Sequence, residues 1–281
     1  MNLTSPPQHI IEAAIKQALA EDLGDAGDIT TNACIPHDAV TTASIVARKA
    51  GVISGAPLAK SAFHLNGVDS FHVEKNDSEA VAPGDVIATI EGPARGILTA
   101  ERVALNFLGH LSGVATATSA LVKAVEGTNA KIVCTRKTTP GLRALEKYAV
   151  RCGGGHNHRF GLYDAVMIKD NHIAAVGGIK KAIEACRAAV GHMVKIEVEI
   201  DGLDQLDAAL SGGADIIMLD NMAPDDMKKA VAEVKGRAVL EASGNVTVQT
   251  VRAIAQTGVD IISSGWITHS APGLDVGLDF H

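Results

Sequence analysis

Aromatic residues are scarce in this chain, 3% of 281, with one Trp, two Tyr and five Phe. Single-stranded nucleic acid is held on platforms of such side chains, so that class of partner is excluded from the first reading. Cysteine is scarce too. Cys34, Cys134, Cys152 and Cys186 stand 100, 18 and 34 positions apart, with no C-x-x-C pair and no compact His/Cys spacing. That pattern builds neither a disulfide framework nor a zinc site. No run of eighteen apolar residues occurs, and the opening MNLTSPPQHIIEAAIKQALAEDLG lacks the basic and apolar regions of a secretory signal. These absences lead to the expectation of a reduced, cytoplasmic, soluble protein with no membrane and no nucleic-acid partner.

Net positive charge is also missing: 25 Lys and Arg face 32 Asp and Glu, leaving −7. The average hides a local reversal. Residues 131–172 hold eight basic side chains (131, 136, 137, 143, 147, 151, 159, 169) against three acidic ones (146, 164, 170), together with His156, His158 and His172. The remaining residues carry 17 against 29. A short basic segment inside an acidic protein fits a pocket for a small anion better than a DNA-binding face.

What is present is an ordinary globular composition, 47% hydrophobic and 20% charged, at a length suited to one large or two medium domains. Ser5 as N-cap, Pro6 at the first helical position and Gln8 completing a capping box predict a first helix ending near Gly24. From about 40 to 97, short strand-like runs alternate with Gly, Asn, Asp and Pro, the texture of an α+β region. Within it, VAPGDVIATIEG (81–92) resembles the hairpin of biotinyl and lipoyl carrier domains, but no lysine stands in the following turn to accept a cofactor.

After a helical stretch from Leu98, six apolar runs follow: AKIVCT (130–135), DAVMIK (164–169), VKIEVE (194–199), ADIIML (214–219), AVLEAS (238–243) and VDIISS (259–264). Ala-rich amphipathic stretches separate most of them. Strand then helix, repeated, is the signature of a parallel sheet, and the lack of a dinucleotide glycine fingerprint favours an incomplete barrel over a doubly wound sheet. The alternating tail LDVGLDF (274–280) is expected to be a strand returning to the first domain's sheet.

Barrel enzymes place chemistry at the C-terminal ends of their strands. Here those ends supply Arg136 and Lys137; Lys169; Glu199; Asp220; Ser243, Gly244 and Asn245; and Ser263, Ser264 and Gly265. The cations suit carboxylate or phosphate. The Ser-Gly turns offer hydroxyls and backbone N–H groups to a phosphate. The two acids would repel phosphate, so they fit ribose hydroxyls or a hydrated Mg²⁺. In RCGGGHNHRFGLYD (151–164) the consecutive glycines permit a path that presents His158 and Arg159 as anion ligands. Lys169 fits plain anion binding and equally a Schiff base of the aldolase type, and these residues do not choose between the two.

The string TRKTTPGLRALEKYAVRCGGGHNHRFGLYDAVMIKDNHI (135–173) resembles the hallmark of the quinolinate phosphoribosyltransferases. The resemblance extends to ALAEDLGDAGDITT (18–31), GPARGILTAERVALNFLGHLSGVATAT (92–118), IEVEIDGLDQL (196–206), IMLDNM (217–222), EASGNV (241–246) and ISSGWITHSAPGLDVGLDF (262–280), nearly the whole chain. It implies an α/β protein with an N-terminal α/β sandwich domain over 1–114, a TIM-like incomplete α/β barrel of six or seven parallel strands over 115–268, and a C-terminal strand over 269–281.

The family's reaction joins quinolinate to 5-phosphoribosyl 1-pyrophosphate (PRPP) with Mg²⁺, giving nicotinate mononucleotide, pyrophosphate and CO₂ on the route to NAD. By resemblance, Arg136, His158, Arg159 and Lys169 bind the quinolinate carboxylates, Thr135 and Lys137 stand in the same substrate loop, and Lys137 faces the phosphoribosyl donor. Glu199 and Asp220 hold ribose hydroxyls and Mg²⁺, which is bound mainly through substrate. Ser243, Gly244, Asn245, Ser263, Ser264 and Gly265 take the 5-phosphate. Arg102 reaches the neighbouring subunit's pocket in a homodimer, which in some members builds larger assemblies. Lys137, Lys169, Glu199 and Asp220 are the catalytic set. The complete cationic set speaks against a family member that has lost quinolinate turnover.

Overall fold

The computed structural model describes residues 3–281. Its first helix, α1 (Gln8–Leu23), starts later than the capping pattern predicts: the N-cap position is Pro7, and no side chain caps it. The reason is the Pro6-Pro7 pair. A residue before proline is driven out of the helical region, and Pro7 is itself extended, so the helix begins only at Gln8. Gln8 donates to Glu12 at 3.0 Å instead of closing a capping box. The helix does stop at Gly24, as expected.

There follow α2 (Ile29–Cys34), β1 (Val40–Ala47), β2 (Gly51–Val52), α3 (Ala56–Leu65), β3 (Ser70–Val73), β4 (Ala80–Val81), β5 (Val86–Pro93) and the long α4 (Ala94–Ala124). Next come β6 (Lys131–Val133), α5 (Arg143–Cys152), β7 (Val166–Ile168), α6 (Asp170–Val176), α7 (Ile179–Ala189), β8 (Ile196–Ile200), α8 (Leu206–Ser211) and β9 (Ile216–Asp220). The chain ends with α9 (Pro224–Val234), β10 (Val239–Ser243), α10 (Val251–Ala255), β11 (Ile261–Ser263), α11 (Trp266–His269) and β12 (Val276–Phe280). Two compact units result, one of residues up to 119 with 139–154 and 270–281, the other of residues 120–138 and 155–269. The segment carrying α5 thus groups with the first unit, whereas the boundaries drawn from sequence leave it in the barrel region.

In the first unit, four antiparallel strands lie in the order β12-β1-β5-β3. The tail does return to this sheet, with Ala43 opposite Phe280 and Ala47 opposite Val276. Its approach runs over bare backbone on α4: a Cβ on Gly113 would stand 2.3 Å from the Pro272 carbonyl oxygen, and the Leu274 N–H donates to the Gly109 carbonyl at 2.8 Å. The 81–92 stretch is not a carrier-type hairpin, because β4 pairs with β2 while β5 pairs with β1 and β3. One carboxylate organises the start of α3: Asp77 accepts the N–H groups of Gly55 and Ala56, both at 3.0 Å, and the Tyr148 hydroxyl at 2.8 Å.

The second unit holds six parallel strands in the order β6-β11-β10-β9-β8-β7. From β7 to β11 consecutive strands are neighbours, and the first, β6, pairs with the last, β11, which is the wrap of an incomplete barrel rather than the reversal of a doubly wound sheet. The barrel is open between β6 and β7. There the segment after α5 runs along the free edge of β6 as an isolated parallel bridge between Val133 and His156. Each of the six runs named from sequence coincides with one of these strands, β8 and β9 each extending one residue past its run. Alternation sorts each strand's side chains: Ile196, Val198 and Ile200 of β8, Ile217 and Leu219 of β9, and Leu240 and Ala242 of β10 are buried on one face. Residues between them turn to the opposite face, where the site lies.

Candidate active site

A cavity of about 1020 Å³ opens at the C-terminal ends of the barrel strands. Its walls contain every rim residue named from sequence: Thr135, Arg136 and Lys137 after β6; His158 and Arg159 from the bridging segment; Lys169 after β7; Glu199 and Asp220 from β8 and β9; Ser243, Gly244 and Asn245 at the end of β10; and Ser263, Ser264 and Gly265 at the end of β11. Arg102 is not among them. It lies on α4 with its side chain 64% exposed, 4.0 Å from the Glu101 carboxylate.

The local chemistry fixes each side chain. Thr135 Oγ1 accepts the Lys137 N–H at 3.0 Å, and Thr268 donates its hydroxyl to the Lys137 carbonyl at 2.7 Å, so the loop after β6 is tied at both ends. Arg159 donates to the Ala165 carbonyl at 3.2 Å. Its guanidinium is held below the ordinary arginine value, by burial first and by the charge of Arg136 second. Lys169 Nζ meets Glu199 Oε2 at 2.5 Å. That nitrogen is engaged with a carboxylate, whereas Schiff-base chemistry needs a free amine. On the opposite wall Asn221 sits in the left-handed region at φ 52°, donates its amide to Asp220 at 2.7 Å and accepts from Asn245 at 3.3 Å.

Three residues in or beneath this cavity escaped the sequence reading. Glu197 and Glu241 are 3% and 1% exposed and converge on His158, whose Nε2 lies 3.0 Å from Glu197 and 3.5 Å from Glu241. His158 Nδ1 accepts the Arg159 N–H at 2.8 Å, so both ring nitrogens are engaged within the protein. The third is Asn221. Among the described residues, six buried side-chain polar atoms lack a partner, and five belong here: Arg136 Nε, one oxygen each of Glu197 and Glu241, and the hydroxyls of Ser263 and Ser264. Buried polar atoms are rarely left unsatisfied, and a cluster of them marks where a polar ligand enters.

As for a divalent ion, Glu199 and Asp220 each have one oxygen engaged with a neighbour and one left over. Two hard oxygen donors do not enclose an ion, but they suit Mg²⁺ that keeps waters and substrate oxygens as its other ligands.

Four cations, two acids and two glycine turns around the mouth of a parallel barrel define an enzyme for small polyanionic substrates. Family models described as quinolinate phosphoribosyl transferase, N-terminal domain and C-terminal domain, match residues 28–112 and 114–279. The chain belongs to the quinolinate phosphoribosyltransferase family. It is 47% identical, over 92% of its length and 89% of the relative's, to the probable nicotinate-nucleotide pyrophosphorylase (carboxylating) of Bacillus subtilis. Identity is again 47% to the nicotinate-nucleotide pyrophosphorylase of Mycobacterium leprae, over 94% and 95% of the two chains. The solved nicotinate-nucleotide pyrophosphorylase of Francisella tularensis superimposes with a TM-score of 0.95 at 39% identity, covering 100% of this chain and 99% of that one.

Proposed function

We propose that this cavity transfers the phosphoribosyl group of PRPP to the ring nitrogen of quinolinate with loss of the 2-carboxylate, yielding nicotinate mononucleotide, pyrophosphate and CO₂. The observation that carries the reading is the set of orphaned polar atoms in a cation-rich cavity, set in a chain of this family. Arg136, Arg159 and Lys169 offer N–H donors to two carboxylates, with His158 behind them. Lys137 faces the pyrophosphate, and the turns at Ser243–Asn245 and Ser263–Gly265 take the 5-phosphate through backbone N–H groups and hydroxyls.

As pyrophosphate leaves, positive charge develops on the ribose, and Glu199 and Asp220 stabilise it while holding the hydroxyls. Bound Mg²⁺ supplies charge neutralisation on the pyrophosphate. Once ribosylated, the pyridinium withdraws electrons from C2. Firm binding of the 3-carboxylate then leaves the 2-carboxylate free to depart as CO₂, the pair of the broken C–C bond staying on C2, which takes up a proton from water. No protein nucleophile takes part.

Arg102 completes the pocket of a neighbouring subunit in a homodimer that itself builds larger assemblies in some members. All four cysteines are thiols, which suits a cytoplasmic enzyme. No helix among the described residues is long and apolar enough to cross a membrane.

Incubation with quinolinate, PRPP and Mg²⁺ is expected to yield nicotinate mononucleotide and CO₂ in equal amounts, with no product from nicotinate. Product from nicotinate alone, or none from either acceptor, overturns the reading. Arg102→Ala and Lys169→Ala proteins are each expected to keep only residual activity, and mixing them with verified subunit exchange restores up to about a quarter of the sites through heterodimers. No recovery on mixing removes the cross-subunit role.

A further inference from the structure

The buried acid pair beneath His158 has no part in the reaction as set out above, and it is expensive to keep. Two carboxylates at 3% and 1% exposure share one imidazole, and each retains an oxygen with no hydrogen-bond partner. Two anions side by side in a dry site do not both stay ionised readily. They also lie beneath the part of the cavity where Arg136, Arg159 and Lys169 gather, so two full negative charges would oppose the dicarboxylate those cations attract.

We propose that Glu197 and Glu241 are positioning residues of the carboxylate pocket: they clamp His158 Nε2 from beneath while Glu241 holds a proton, so that substrate meets a floor with one negative charge, not two. The proposal rests on the quinolinate reading for its substrate and on geometry for the clamp. Register places the pair. Glu197 on β8 and Glu241 on β10 lie on the same inward face as Glu199 and Ser243, each two residues before the rim residue of its strand, and Met218 of the intervening β9 pairs with Glu241 on one side and Glu199 on the other.

His158 reaches the pair from the segment bridged to β6, its ring oriented by the Arg159 N–H. The charged and titratable groups facing Glu241 are Glu197 and His158, with the Ser263 hydroxyl on β11, and Arg136 and Arg159 lie beyond them. Burial raises the Glu241 carboxyl to about 7, the Glu197 charge adds to the rise, and His158 and Ser263 oppose it. A proton held there is lost as pH climbs through that value, placing a second negative charge under the anion site.

The test is Glu241→Gln, which keeps shape and removes the proton equilibrium, assayed with each substrate varied. In the wild type, kcat/KM for quinolinate is expected to fall about tenfold as pH rises from roughly 6 to 9, with the KM for PRPP changing less than about twofold. In Glu241→Gln that fall is absent. The same fall in the variant, or a KM for PRPP that rises as much as that for quinolinate, overturns the proposal. So does wild-type quinolinate affinity that follows added Zn²⁺, which would make the three side chains a metal site.

A second measurement needs no turnover. The ¹³Cε1 resonance of His158, identified by its loss in His158→Asn, is expected to titrate with Glu241 in the wild type, to lose that step in Glu241→Gln and to show it at lower pH in Glu197→Gln. An unchanged titration in both variants sinks the clamp even where quinolinate is a substrate. A protein inactive with quinolinate that still loses the step keeps the clamp and overturns only the substrate.

Discussion

Lys169→Ala is expected to lower kcat/KM for quinolinate by about 10²–10³-fold, more than the loss of one carboxylate ligand explains. Truncating one partner of a buried charge pair costs about 2–5 kcal/mol because the other charge remains, and with the Lys169 side chain 45% exposed the lower half of that range applies. Here that partner is Glu199, whose side chain is only 14% exposed and lies 2.5 Å from Lys169 Nζ. Without the lysine an unpaired carboxylate faces an incoming dicarboxylate, so attraction is replaced by repulsion.

The effect is therefore non-additive. Glu199→Gln added to Lys169→Ala removes the repulsion, and the double variant is expected to regain about tenfold in quinolinate KM over Lys169→Ala while kcat stays low, since Glu199 is also the acid proposed for the ribose. Steady-state kinetics on the four proteins of the cycle measure this. A double variant whose KM is no better than that of Lys169→Ala shows that the two side chains act independently. The same pairing predicts that borohydride with quinolinate leaves no adduct on Lys169, and a trapped adduct would restore the Schiff-base alternative.

Why the rim was legible from the chain and the floor was not comes down to where a side chain sits on its strand. Lys169, Glu199, Asp220 and Ser243 interrupt the ends of apolar runs, where a change of polarity is conspicuous and the barrel rule gives it meaning. Glu197 and Glu241 lie inside their runs, in IEVEI and VLEAS. There a single acid is easily set aside as a blemish in a buried strand. The signal was nonetheless present. Glu197 and Glu199 have the two-residue spacing of a shared face, as do Glu241 and Ser243, and a strand with polar residues on one face only must direct that face at something polar.

Asn221 was hidden differently, because an Asn after a strand reads as ordinary turn chemistry. Its role emerges only when the turn after β10 comes alongside. At the N-terminus, a capping pattern was overruled by the neighbour of the proline it relied on. The grouping of 139–154 with the first unit depends on tertiary packing that no local pattern encodes.

Gly244→Ala is expected to raise the KM for PRPP at least about tenfold and to destabilise the protein, because the turn after β10 has no room for a methyl group. Gly244 lies at φ 98°, and a Cβ there would stand 2.0 Å from Asn221 Oδ1 and 2.6 Å from its Cγ. The displaced group is no loose surface side chain. Asn221 donates to Asp220 at 2.7 Å, accepts from Asn245 at 3.3 Å, and its backbone N–H donates to the Ser243 carbonyl at 2.9 Å. Moving it disturbs the acid assigned to the ribose and the turn assigned to the phosphate together.

The left-handed backbone alone costs about 1–2 kcal/mol for a residue bearing a Cβ, and overpacking adds about 1–3 kcal/mol. Gly84→Ala separates the two contributions: Gly84 has nearly the same φ, 92°, with nothing within 4 Å of a Cβ. That control is expected to lose only the backbone share of stability and none of the activity. If thermal unfolding shifts equally in Gly244→Ala and Gly84→Ala, and the KM for PRPP is unchanged in both, the contact with Asn221 is not what the turn depends on. Asn221→Gly placed on Gly244→Ala removes the clash while keeping the left-handed backbone, so stability is expected to recover. Affinity for PRPP is not, because the amide that joins Asp220 to Asn245 is then gone.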